Sequence, residues 1–235
     1  MIGGLLGLGR QADWRVVHQV AAWALGYPDD RMLAQLPLLR AALEEQPPSA
    51  PVTRLLHALD TLRQGGPEEL RAAYVELFDL HRSQTLYLSY WTDGDTRRRG
   101  ETLAGFKQRY RDSGFLVDTG GELPDYLPMV LEYAAVADPV RGVELLQEYR
   151  PSLELIRLAL LDRPTARAGA YADVLIALCA TLPGDSPSDR AAVMAMAPPH
   201  LRGGPPAETV GLDVIDLLPT RTRSAASSGL EAARS

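Results

Sequence analysis

The run Tyr87-Leu88-Ser89-Tyr90-Trp91-Thr92-Asp93-Gly94-Asp95-Thr96-Arg97-Arg98-Arg99 concentrates the side chains best able to bind or react: three rings, two carboxylates and three guanidiniums. Asp93 and Asp95 invite a calcium reading, which fails on spacing. A loop of the EF type needs an oxygen ligand at its fifth position, glycine at the sixth and glutamate at the twelfth. Arg97, Arg98 and Ala104 stand there instead. The arginines are oddly placed for a helix. With Asp95 as N-cap, Thr96 to Arg99 fill a first turn, where the helix dipole favours acids. A segment that breaks a local rule marks a candidate functional site. The plainer reading is that Asp93, Asp95 and Glu101 neutralise the arginines on a solvated surface, at ~0–1 kcal/mol per pair.

A second acidic and aromatic cluster is Glu122-Leu123-Pro124-Asp125-Tyr126-Leu127-Pro128. If Asp125 is the N-cap of the next helix, Pro128 falls in the first turn, where its missing N–H costs nothing. A helix begun at Pro124 would lose an interior hydrogen bond, at ~3 kcal/mol. The first register is therefore predicted, with Asp125 accepting a backbone N–H and Tyr126 projecting from the helix start. His18, His57, His81 and His200 show no ligand spacing and read as partly exposed helix or tail residues. No phosphate loop, nucleophile elbow or zinc-protease motif occurs, so no catalytic activity is supported.

The elements that position these clusters are helical throughout. Asp13 caps a first helix with Trp14, Val17, Val20, Ala21, Ala24 and Leu25 on one face, ended by Gly26 and Pro28. A second helix opens at Asp29 or Asp30, kinks at Pro37 and ends before Pro47. A third runs from about Pro51 to Gly65. Pro67 followed by Glu68 and Glu69 starts a fourth, with Leu70, Ala73, Tyr74, Leu77 and Leu80 on one face. The arginine helix buries Leu103, Phe106 and Tyr110 and stops at Gly114. Leu127, Val130, Leu131, Ala134 and Ala135 carry the helical period after Tyr126. Further helices are predicted from Asp138-Pro139, over Ser152–Leu161 and over Ala168–Leu182.

Composition narrows the class. Of 235 residues, 46% are hydrophobic and 23% charged, as in an ordinary globular protein. A net charge of -6 argues against a sequence-independent grip on nucleic acid and suits a basic peptide partner. Cys179, the only cysteine, lies in an apolar run and reads as a buried, inert thiol. No run reaches the ~18 apolar residues a membrane span needs, so a cytoplasmic location without stable membrane insertion is expected. The expected organisation is a flexible 1–12 segment, one all-α helical domain over 13–182, and a largely disordered tail over 183–235. That tail holds seven prolines and five glycines. Within it, 208–219 is apolar enough to dock back on the domain.

Several of these motifs, taken in order, are similar to the signature of a known family. Tyr74-Val75-Glu76-Leu77-Phe78-Asp79-Leu80, Leu86 to Tyr90, Asp93 to Gly100, Phe106-Lys107, Glu122 to Pro128 and Leu131-Glu132-Tyr133 resemble the NarJ family of nitrate reductase assembly chaperones, related to the TorD/DmsD group. The resemblance implies a helical bundle that performs no chemistry and carries no cofactor of its own. It implies binding of the amino-terminal peptide of the molybdenum-containing catalytic (alpha) subunit, held from the membrane until the molybdenum cofactor is inserted. No obligatory small-molecule substrate follows from it. Such a peptide could rest its apolar side on Tyr87, Tyr90, Trp91 and Tyr126 and its basic side chains on Asp93, Asp95, Glu122 and Asp125. Arg97 and Arg98 either order those carboxylates or touch the client. Two alternatives stay open: a chaperone of this fold serving another molybdoenzyme or twin-arginine substrate, and a small helical hydrolase using Asp93 and Asp95 with a metal ion.

Overall fold

The computed structural model describes residues 12–80, 84–93, 97–115 and 120–197. Most helices start where the sequence offers an acceptor for their unpaired amides. Asp13 caps α1 (Trp14–Leu25), Asp29 caps α2 (Asp30–Glu44) and Ser49 caps α3 (Ala50–Leu62). Pro67 opens α4 (Pro67–Tyr74), which widens into a π turn at Val75–Asp79. The short α5 (Tyr90–Asp93) precedes α6 (Arg97–Asp112). Next comes α7 (Leu127–Glu132), continued by a second π turn at Tyr133–Ala137. Asp138 caps α8 (Pro139–Glu148), α9 follows (Arg150–Leu161), and Thr165 caps α10 (Ala166–Cys179). The expected helix order and all-α class hold. No strand occurs among the described residues, only an isolated antiparallel bridge between Tyr87 and Tyr126.

The core forms around α10, which packs against α3, α9 and α1, while α1 also lies along α7. Tyr171, Val174, Leu175 and Leu178 of α10 are buried, as are Val17, Val20, Ala21 and Leu25 of α1. Glycine is required where α8 crosses the second π turn: a Cβ on Gly142 would lie 2.3 Å from Ala134 Cα.

The α2 helix runs through Pro37 and ends before Pro47, as expected. Three other sequence expectations change. The N-cap of α7 is Tyr126, one residue later than predicted, with no side-chain cap bond, and Pro128 still sits in the first turn. Asp125 is drawn away from capping by a stronger claim on its carboxylate, described below. His18 is 1% exposed, not partly solvated, because it faces the end of α10, where its Nε2 lies 2.9 Å from Thr181 Oγ1. Burial depresses its pKa to about 4.

The third concerns the end of the folded unit. Past residue 182 the chain is tied down. Glu154 on α9 is fully buried and accepts from Arg157 Nε at 2.5 Å and Ser186 Oγ at 2.7 Å, with Arg150 Nε at 3.5 Å. The two guanidiniums then reach outward. Arg150 donates to the carbonyls of Pro183 and Gly184, and Arg157 to that of Pro187. After this clasp comes α11 (Arg190–Met196), capped by Asp189 and packed on α9 through the buried Val193. The expected tail therefore begins with ordered structure. The 208–219 segment and Asp95 lie outside the described residues.

Candidate functional site

Two stretches far apart in sequence meet at the Tyr87–Tyr126 bridge. The amide of Leu88 donates to Asp125 O at 3.0 Å, and that of Leu127 to Leu86 O at 2.9 Å. This pairing turns the Asp125 carboxylate inward. Its Oδ2 accepts from the Ser89 amide at 3.0 Å and the Ser89 hydroxyl at 2.5 Å, with Arg99 Nη2 at 3.7 Å. Asp125 is 0% exposed, and its Oδ1 has no hydrogen-bond partner. Arg99 also donates from Nε to Ser89 Oγ and lies 5.9 Å from the ring centres of both Tyr87 and Tyr90. A cation stacked on two rings and beside a buried carboxylate explains one of the misplaced arginines.

Asp93 explains a second. It is 6% exposed, accepts from Arg98 Nε at 2.8 Å, and takes the Thr102 hydroxyl at 2.7 Å. Asp93 thereby fastens the end of α5 to the start of α6, and α6 tolerates its basic first turn because the compensating acids are tertiary neighbours. Arg97 is exposed. Behind these groups Trp91 donates its indole N–H to Thr85 O at 3.0 Å. Trp91 and Tyr90 are buried, so they support the wall rather than form its surface.

Tyr126 is the hinge of the arrangement. Its hydroxyl lies 2.9 Å from that of Tyr74, and Tyr74 donates its single proton to Leu25 O at 3.0 Å. Tyr126 is therefore the donor to Tyr74. This relay joins the start of α7, the end of α4 and the end of α1. Burial raises both phenols, Tyr126 to about 12, so both stay protonated at neutral pH. On its other side the Tyr126 ring lies 5.4 Å from Tyr87, whose hydroxyl donates to Glu122 Oε2 at 2.5 Å. Desolvation, then the nearby Glu122 charge, raises the pKa of the Asp79 carboxyl.

Two depressions flank this hinge. A groove of about 290 Å³ runs between Tyr126 and the α1–α2 corner. Trp23, Tyr27 and Met129 give it apolar walls, and Asp29, Glu122 and Glu132 an acidic edge. A smaller cavity of about 240 Å³ lies on the far side, bounded by Asp93, Arg98, Phe106, Arg109, Glu148 and Tyr149. Of the residues singled out from sequence, Tyr126 and Glu122 line the first, Asp93 and Arg98 the second, and Tyr87, Tyr90, Trp91 and Asp125 stand between them. Sequence reasoning missed Trp23, Tyr27, Tyr74, Ser89 and Arg99. Arg99 alone carried a signal, as the third of three consecutive arginines. Among the described residues no three His, Cys, Asp or Glu side chains gather as metal ligands.

The helical scaffold is that of the maturation-protein fold. The same fold occurs in a chain from Archaeoglobus fulgidus described as a redox enzyme maturation protein. The TM-score is 0.55 and the identity 20%, over 75% of this chain and 98% of that one. The model of the nitrate reductase delta subunit family matches residues 43–163, and this chain belongs to that family. It is 33% identical over 170 residues to the Bacillus subtilis protein described as nitrate reductase molybdenum cofactor assembly chaperone NarJ, covering 72% of this chain and 90% of that one. The Escherichia coli K12 NarJ is 34% identical over 115 residues, 49% of this chain and 48% of that protein. The nitrate reductase-like protein NarX of Mycobacterium tuberculosis H37Rv is 40% identical over 169 residues. That match spans 72% of this chain but only 24% of NarX.

Proposed function

We propose that this chain is an assembly chaperone for nitrate reductase, acting by capture of a peptide rather than by catalysis. The client segment is the amino terminus of the molybdenum-containing catalytic subunit, and the site is the groove beside Tyr126. Occupying it keeps that segment from the membrane partner until the molybdenum cofactor is in place. The observation that carries this reading is the pairing of apolar walls from Trp23, Tyr27 and Met129 with carboxylates of Asp29, Glu122 and Glu132. An amphipathic helix or extended strand with basic side chains matches both surfaces at once. Asp93, Arg98, Arg99, Asp125, Tyr90 and Trp91 keep the Tyr126 and Glu122 side of the groove in shape. Among the described residues no helix is long and apolar enough to cross a membrane.

Calorimetry with the first 15 residues of the reductase catalytic subunit tests it. Tyr126→Ala and Glu122→Ala are each expected to weaken binding by about tenfold, roughly 1.4 kcal/mol. Added salt should weaken it further, since the carboxylates are on the rim. Equal affinity for the wild type and both folded variants would place the peptide elsewhere.

A further inference from the structure

The groove contains a single basic side chain among its lining residues, and that side chain already occupies the best place for a cation. Arg31, at the start of α2, holds its guanidinium 5.2 Å from the centre of the Trp23 ring. Arg31 is exposed and makes no ion pair among the described residues, although Asp29, Glu122 and Glu132 line the same groove. Trp23 is half-buried, so one face is packed and the other is what Arg31 covers. Tryptophan is the strongest of the aromatic receptors for a cation. Gln19, which also lines the groove, has a buried side-chain oxygen with no hydrogen-bond partner. The lining therefore favours positive charge, and Arg31 is the one cationic side chain among its described residues.

We infer that Arg31 is a resident stand-in: the exposed face of Trp23 is a subsite for an arginine of the docked peptide, which displaces Arg31 on binding. This rests on the groove being the peptide site, and it adds which client side chain is read and what the free protein puts in its place. An incoming guanidinium gains the ring only by removing another from it. The subsite thus discriminates weakly in the wild type and strongly once Arg31 is gone. The displaced Arg31 is left near the acidic edge, where solvent and carboxylates can take it.

The test is a double-mutant cycle read with the 15-residue reductase peptide and a copy whose arginines are replaced by glutamine. In Arg31→Gln the arginine peptide should bind about twofold to fivefold more tightly than to the wild type beyond any gain shown by the glutamine copy. In Trp23→Leu, adding Arg31→Gln should produce no such extra gain, which separates ring binding from the simple removal of a positive charge. A second readout is the Arg31 Nε–H proton resonance in the wild type. It should be ring-shifted in the free protein, lose that shift in Trp23→Leu, and move toward its unstacked position as the peptide is added. If the peptide binds but the resonance stays put, or the gain is the same with and without Trp23, the stand-in role is wrong while the groove stands. If neither peptide binds the wild type, the groove reading and the stand-in fall together.

Discussion

Glu154 and Asp125 are both fully buried carboxylates next to arginine, yet they are finished to different degrees. Both oxygens of Glu154 are engaged, Oε2 by Arg157 and Oε1 by Ser186 with Arg150 close by, and its arginines go on to hold backbone carbonyls of 183–187. Asp125 has one oxygen engaged by Ser89 and the other without a partner, and its arginine stands 3.7 Å off, shared with two tyrosine rings. The first is a clasp in which both carboxylate oxygens are engaged, with only Arg150 Nε left without a hydrogen bond. The second is a junction that trades a hydrogen bond for position, holding the 84–93 segment against the entry to α7. A carboxylate that must only hold segments together can be saturated; one beside the candidate groove keeps slack.

The largest expected effect tests the clasp. Glu154→Ala leaves two guanidiniums buried without their carboxylate and should cost about 3–5 kcal/mol in urea unfolding. Ser186 and α11 should lose amide protection together in hydrogen exchange. Next is His18, which shares the incompleteness of Asp125, since its Nδ1 has no partner. Its folded pKa of about 4 is below the ordinary 6.5, so the unfolded chain takes the proton first. Stability should therefore fall as pH drops from 6.5 toward 4, by about 3 kcal/mol in all. His18→Gln should remove that part of the slope between pH 6.5 and 5. An unchanged slope would show that His18 is not what couples folding to pH.

Asp125→Ala should cost less than the Glu154 change, about 1–3 kcal/mol, through the stranded Ser89 amide and Arg99. If it costs more, the contrast between a saturated and a slack cluster collapses. The smallest effect belongs to Tyr126→Phe, which removes only the donor to Tyr74, at about 0.5–1.5 kcal/mol. It should leave peptide affinity nearly intact, because the ring remains. A large loss of affinity in this variant would mean that the hydroxyl, not the ring, faces the client.

Much of the scaffold was legible in the chain itself. Asp13, Asp29, Asp138 and Pro67 mark helix starts by contacts made within three residues, and the apolar period of 127–135 names its own buried face. The family signature across 74–133 was legible for a similar reason, being a string of local motifs. The candidate groove was only half legible. Tyr126 and Glu122, singled out from sequence, line it, but Trp23, Tyr27 and Arg31 come from the α1–α2 corner about a hundred residues earlier, where nothing in the local pattern distinguishes them from core and surface.

The misplaced arginines show where the division falls. By itself the sequence determined that the first turn of α6 carries charge a helix dipole resists, because capping and dipole effects act within one turn. Only the tertiary structure decided that Asp125 turns inward beside Arg99 and that Glu154 closes on 183–187. Burial and pairing depend on which distant segments the core brings together, and a carboxylate acquires its partner only when that packing is complete.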